Sequence, residues 1–134
     1  MMYMLDSNIC IYMIKKKPES LLRRIQASNV NGIAISAITL AELEFGVAKS
    51  DYPEKNANAL TQILSIINVL SFDANAASVY GSIRADLQRK GTPIGGLDML
   101  IAAHAKSRNL ILVTNNVREF QRVEGLLIEN WAEQ

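Results

Sequence analysis

A chain of 134 residues, 49 % apolar and 20 % charged, has the profile of one globular domain and is too short for two. Fourteen Lys and Arg against thirteen Asp and Glu leave a net charge of +1, which is too weak a field for a protein that coats RNA or anionic lipid indiscriminately. The lone cysteine, Cys10, excludes an internal disulfide and leaves no Cys/His cluster for zinc, so the expected compartment is reducing and cytoplasmic.

Tyr3-Met4-Leu5 is a short apolar run ending at Asp6, with Ser7 and Asn8 as cap-type residues and Ile9 to Lys15 as a short helix. Pro18 opens a second helix on Leu21, Leu22 and Ile25, and Asn29 to Gly32 stop it. Ile33-Ala34-Ile35 is the second strand. Ser36 caps a helix carrying Ile38, Leu40, Ala41, Leu43, Phe45 and Val47, and this helix gives way around Lys49 to Asp51. From Pro53, the spacing of Leu60, Ile63, Leu64 and Ile67 predicts a long amphipathic helix. Asn68 to Phe72 reads as the third strand and Asp73 as the cap of a helix striped by Val79, Ile83 and Leu87, closed at Lys90-Gly91. Leu97 to Arg108 is helical again. Leu110 to Val113 is a continuous apolar run of the kind buried on both faces, and a short strand around Leu126 to Ile128 closes the edge.

Strands separated by helical connections, without hairpin signals, call for an α/β fold. The expectation is a single domain over 1–134, three layers α/β/α around a mostly parallel four- to five-stranded sheet. No apolar run reaches the roughly 20 residues of a membrane span, and the opening Met1 to Asp6 has no basic leader, so neither a membrane anchor nor a signal peptide is expected.

In open parallel sheets the site lies beyond the carboxyl ends of the strands. That rule selects Asp6 after the first strand, Glu42 or Glu44 in the helix after the second, Asp98 behind the Gly95-Gly96 pair, and Asn115, Asn116 and Glu119 after Thr114. Each has a plainer reading: Asp6 and Asp98 as helix caps, the Asn pair and Glu119 as turn residues, one of the two glutamates as a solvated acid. Periodicity does not separate Glu42 from Glu44. Carboxylates aimed at one crevice repel one another unless a cation sits among them, and these segments carry no adjacent Lys. An oxygen-only donor set favours Mg²⁺ or Mn²⁺, and such an ion activates water against a phosphate ester or phosphodiester.

Four strings carry a family resemblance: Met4-Leu5-Asp6-Ser7-Asn8-Ile9, Thr39-Leu40-Ala41-Glu42-Leu43-Glu44-Phe45-Gly46, Pro93 to Asp98 with Ile101 to Ala105, and Val113-Thr114-Asn115-Asn116-Val117-Arg118-Glu119-Phe120. Each alone is weak, but four in order and at this spacing are specific, and they run nearly end to end. The chain resembles the PIN-domain ribonucleases, and among them the VapC toxins of bacterial toxin–antitoxin pairs. The resemblance implies Asp6 and Asp98 as principal Mg²⁺ ligands, Glu42 completing the acidic set directly or through water, and Ser7, Asn8, Thr114 and Asn116 in support. It selects Glu42 over Glu44, because the family's acid stands four residues before the glycine, here Gly46. Many PIN domains have an acid where this chain has Asn116, which leaves Glu119 as the substitute fourth acid. The implied reaction is hydrolysis of RNA, in the closest patterns of initiator tRNA in the anticodon region. The implied partners are a VapB-type antitoxin that inserts a basic side chain among the acids and a second copy of the chain, in a larger toxin–antitoxin assembly.

Other readings fare worse. A haloacid dehalogenase-type phosphatase wants an acid where Asn8 stands, and a phosphoacceptor domain wants an adjacent acidic pair; neither is present. An inactive scaffold of the same fold sits poorly with the retained Asp6, Glu42 and Asp98. The only histidine, His104, lies about 240° around the helix from Asp98 and reads as structural. Lys15, Lys16, Lys17, Arg23 and Arg24 form the densest basic cluster, with Lys16, Lys17 and Arg23 as candidate RNA contacts. Trp131 and Tyr12 read as packing residues rather than base-stacking ones.

Overall fold

The computed structural model of the chain describes residues 3–15, 19–27 and 32–132. Its elements run β1 (Tyr3–Leu5), α1 (Ser7–Lys15), α2 (Glu19–Ala27), β2 (Ile33–Ser36), α3 (Ala37–Lys49), α4 (Pro53–Leu64), β3 (Asn68–Leu70), α5 (Ala74–Lys90), α6 (Gly96–Ser107), β4 (Ile111–Val113), α7 (Val117–Phe120) and β5 (Ile128–Glu129). The five strands order as β3-β2-β1-β4-β5, and all four pairings are parallel. The expected α/β/α architecture is therefore present.

Alternation along the strands divides the core in two. Met4 and Leu112 point to one face, where Ile83, Leu87, Ile101 and Phe120 cover them from α5, α6 and α7. Leu5, Val113, Ile33 and Ile35 point to the other, under Ile9, Leu21, Leu43 and Leu60 from α1 to α4. The strands nearest the middle are buried throughout, which explains their lack of polar alternation. Cys10 lies wholly inside this second half, its thiol pushed up by burial and so inert as a nucleophile. Trp131 is buried too, edge-on to Tyr3 with centroids 4.8 Å apart. Its indole N–H donates to Glu129 (2.9 Å), which also accepts from Arg24 (3.2 Å).

Several boundaries differ from expectation for identifiable reasons. The first helix starts at Ser7, because Asp6 is its cap: the Ile9 N–H donates to Asp6 Oδ1 at 3.0 Å. Ser7, expected to cap, is directed elsewhere. α4 ends at Leu64, and Ile67, which continued its helical spacing, is buried after a turn instead. The third strand stops at Leu70, short of Phe72, and the last is Ile128–Glu129, two residues beyond its expected start. Pro18 and the segment from 28 to 31 lie outside the described residues. The glycine stop at Gly91 is as expected, with φ +68 and its N–H on the last carbonyls of α5.

Ser36, at the end of β2, caps α3 through its hydroxyl, which accepts from the Ile38 N–H at 3.0 Å. The same oxygen lies 2.8 Å from His104 Nδ1 on α6, and both residues are fully buried. Phe72 closes the imidazole edge-on at 5.4 Å, and burial lowers the pKa of His104. The histidine is thus a polar tie between the helices carrying Glu42 and Asp98. Replacing Ser36 by Ala removes a cap and strands the imidazole; we expect a loss of about 1–3 kcal/mol in urea unfolding, while an unchanged midpoint would mean the tie contributes nothing.

Candidate metal centre

Because β4 lies beside β1 while β2 and β3 extend the other way, the chain reverses direction between the two middle strands. A crevice opens at such a switch point, beyond the strands' carboxyl ends. Asp6 leaves β1 there, its own N–H bonded to the Val113 carbonyl at 3.1 Å, and Thr114 leaves β4. Asp6 is 4 % exposed. Burial raises its pKa, with the Glu42 charge adding to the effect, while hydrogen bonds from Thr114 and the backbone N–H groups of Ile9 and Asn8 oppose it.

Glu42, on the second turn of α3, accepts the Ser7 hydroxyl at 2.7 Å. Glu44 is exposed and belongs to the surface. Asp98 is not a cap: Gly95 holds the cap position of α6 and Asp98 sits in the first turn, where the helix dipole favours its charge. Its pKa is nonetheless raised to about 7, first by burial, then by the charge of Glu119 and a hydrogen bond shared with it, and then by Asp6 and Glu42. The charges of Glu119, Asp6 and Glu42 thus all bear on Asp98.

Glu119 is held from two sides. The Gly95 N–H donates to Oε1 at 2.8 Å and the Asn116 side-chain amide donates to Oε2 in a short hydrogen bond. The Asn116 N–H in turn donates to Thr114 Oγ1 at 2.9 Å. A chain of hydrogen bonds thus runs from Asp6 through Thr114, Asn116 and Glu119 to Asp98. Asn116 supplies an amide that steadies Glu119, where an acid would add a fifth repelling charge. Gly95 entered the sequence reading only as part of the pair before Asp98; a Cβ there would meet the Asp98 carboxylate at 3.3 Å and push it aside by a few tenths of an ångström.

Other residues fall outside this set. Asn8 is exposed at the crevice rim. Tyr12, half-buried, accepts from the Asn115 amide at 2.7 Å and is a packing partner. Arg23, on α2, is exposed and paired with Glu19 at 3.4 Å; Lys16 and Lys17 lie outside the described residues. Phe45, one of the apolar residues of α3, is 65 % exposed.

The donor set is all oxygen, which fits a hard divalent cation. Among the described residues no three His, Cys, Asp or Glu side chains stand close enough together to hold a metal ion as they are; what they supply is mutual repulsion, felt at Asp98. A cation would offset the neighbouring charges that, with burial, hold the Asp98 pKa up.

A parallel sheet with acids from four segments at its switch point defines a metal-dependent nuclease of the PIN type. The chain belongs to the PIN-domain family, which matches residues 3–126 and whose nucleases work with a divalent metal. Its place in the family is the VapC branch. The tRNA(fMet)-specific endonuclease VapC of Shigella flexneri is 50 % identical over 130 residues, 97 % of this chain and 98 % of that protein. Ribonuclease VapC2 of Rickettsia felis is 47 % identical over 133 residues, 98 % of each. In DNA-bound VapBC from Salmonella typhimurium, one chain superposes with a TM-score of 0.93 at 48 % identity, covering 98 % of both.

Asp98 also predicts a pH dependence. With an ordinary value of 3.8 and a folded one of about 7, the folded chain keeps a proton that the unfolded chain has lost, so its contribution to stability is complete below about pH 4 and vanishes as pH rises through 7. His104, its folded pKa lowered, acts in the opposite direction, so the difference between wild type and Asp98→Asn isolates the effect. In chelator, the advantage of Asp98→Asn in thermal midpoint should grow between pH 5 and 8, and Mg²⁺ should shrink it at pH 8. A difference independent of pH would contradict the charge frame.

Proposed function

We propose that this protein is the toxin of a toxin–antitoxin pair, a Mg²⁺-dependent endoribonuclease, with Mn²⁺ as a substitute, that cuts initiator tRNA in the anticodon region and so halts translation. The observation that carries the reading is the charge frame itself: Asp6, Glu42, Asp98 and Glu119 held by the protein's own hydrogen bonds beyond the carboxyl ends of the middle strands, in a chain half identical to a tRNA(fMet)-specific endonuclease. The substrate's presence in the cytoplasm assigns the enzyme to the same compartment.

Asp6 and Asp98 would hold the cation, with Glu42 completing the set directly or through water. When bound, a divalent ion offsets charge on the scissile phosphate and lowers the pKa of an attacking water. Ser7 fixes the Glu42 carboxylate, and Thr114 fixes that of Asp6. Glu119 stands beside Asp98 and shares a hydrogen bond with it, which fixes the Asp98 carboxyl toward the crevice. In the hydrolysis, water oxygen adds to phosphorus in line, the P–O3′ bond breaks, and the 3′ oxygen takes up a proton to leave a 3′-hydroxyl and a 5′-phosphate. Lys16, Lys17 and Arg23 are assigned to the RNA backbone on the strength of their charge density, although Arg23 must first release Glu19.

The solved relatives include VapBC complexes, one of them bound to DNA and another to a fragment of its promoter. A VapB-type antitoxin is the partner we assign, its basic side chain neutralising the acids, on a homodimer of this chain within a larger assembly. No described helix is long and apolar enough to cross a membrane.

Brief expression followed by sequencing of RNA 5′-phosphate ends tests substrate and activity together. New ends should concentrate in the initiator tRNA anticodon loop with wild type and vanish with Asp6→Asn or Asp98→Asn, while both variants remain folded. Ends produced equally by both variants would remove these acids from the site.

A further inference from the structure

Beside the acid crevice, α3 forms one wall of a groove that the acids do not need. Its cavity of about 590 Å³ is lined by Ser7, Asn8, Glu42, Phe45, Lys49 and Leu97, among others, and it adjoins a second cavity of about 330 Å³ that adds Lys15 and Asn56. Among the described residues Glu42 is the only acid lining either. Phe45, Lys49 and Glu42 stand at i+3, i+7 and i of one helix and so share a face. The Phe45 ring is 65 % exposed, Leu97 48 % and Ile11 37 %, and the Lys49 ammonium lies 5.1 Å from the Phe45 centroid.

Gly46 sits in the middle of this helix, where glycine costs about 1 kcal/mol against a side-chain-bearing residue. Nothing in the fold asks for it: a Cβ there meets no atom within 4 Å, and no positive φ is recorded for it. The space it leaves is part of the groove.

We propose that this groove is the subsite for a nucleotide adjoining the cleaved bond, its base stacked on Phe45 against Leu97, its phosphate on Lys49, with Gly46 keeping the floor open. The proposal rests on the ribonuclease reading above and names where the strand runs. An RNA whose scissile phosphate lies at Glu42 must continue over an adjoining surface. Here that surface offers an exposed ring for a base's π-face and, about 10 Å along the helix from Glu42, a cation for a phosphate. Ring plus cation is how single strands are held without reading their sequence. The lysines and the absence of any acid past Glu42 favour a polyanion over a purely apolar partner.

Steady-state cleavage of initiator tRNA and of a single-stranded anticodon-arm oligonucleotide tests this. Phe45→Ala should raise KM fivefold to a hundredfold, the range of about 1–3 kcal/mol per stacked base, with kcat changed far less, and Phe45→Trp should restore wild-type KM. Lys49→Gln should flatten the dependence of log(kcat/KM) on log[salt] by about 0.7. Gly46→Leu is the decisive variant: it should raise the thermal midpoint by about 2–4 °C and yet raise KM, which a structural role for Gly46 cannot produce. If all these variants cut RNA with wild-type KM, the subsite is wrong, and if they weaken binding of the antitoxin or of a second copy instead, the groove belongs to a protein partner. Absence of cleavage by the wild type in Mg²⁺ or Mn²⁺ would overturn the ribonuclease reading itself, a separate failure.

Discussion

Mutual repulsion among four carboxylates is the constraint on which the site depends. Asp6, Glu42, Asp98 and Glu119 come from four segments, and the parallel order of the sheet brings them to one switch point whether or not their charges agree. Burial then strengthens the conflict, since Asp6 is almost inaccessible and Asp98 lies half-buried against Glu119. The fold answers with donors: backbone N–H groups and Thr114 for Asp6, Ser7 for Glu42, Gly95 and Asn116 for Glu119. These hold the acids in place without neutralising them, and Asp98 keeps a proton to near pH 7.

The supports lie outside the crevice as much as within it. Ser36 starts α3 and, through His104, ties it to α6, so the helices bearing Glu42 and Asp98 share one buried contact. Asn116, an amide among these acids, makes sense in the same terms. An amide at that place donates to Glu119, whereas a further carboxylate would compete with it.

Much of this was legible in the sequence because it rests on burial and position. The apolar runs at Met4-Leu5, Ile33 to Ile35 and Leu110 to Val113 mark strands buried on both faces, and the acids follow from where those strands end. What the residues alone left open depends on which of two equivalent groups the tertiary structure uses. Asp6 and Ser7 are both good caps, and the choice of Asp6 is set by the pull of Glu42 on the Ser7 hydroxyl, 35 residues away. Asp98 looked like a cap because helix starts and site acids favour the same residue types. The exposure of Phe45 was not legible, because an apolar residue within a helix carries no mark of the groove it lines; the mid-helix Gly46 next to it was the available signal. The net charge of +1 likewise averages an acidic crevice against basic residues elsewhere.

The central claim is that the acid frame is completed by a divalent cation. Calorimetric titration of Mg²⁺ into the protein at pH 7, in two buffers of different ionisation enthalpy, tests it directly. Binding should release about half a proton, from Asp98, whose pKa lies at about 7, and both should be lost in Asp98→Asn. Equal binding by that variant, or binding with no proton released by the wild type, would contradict it.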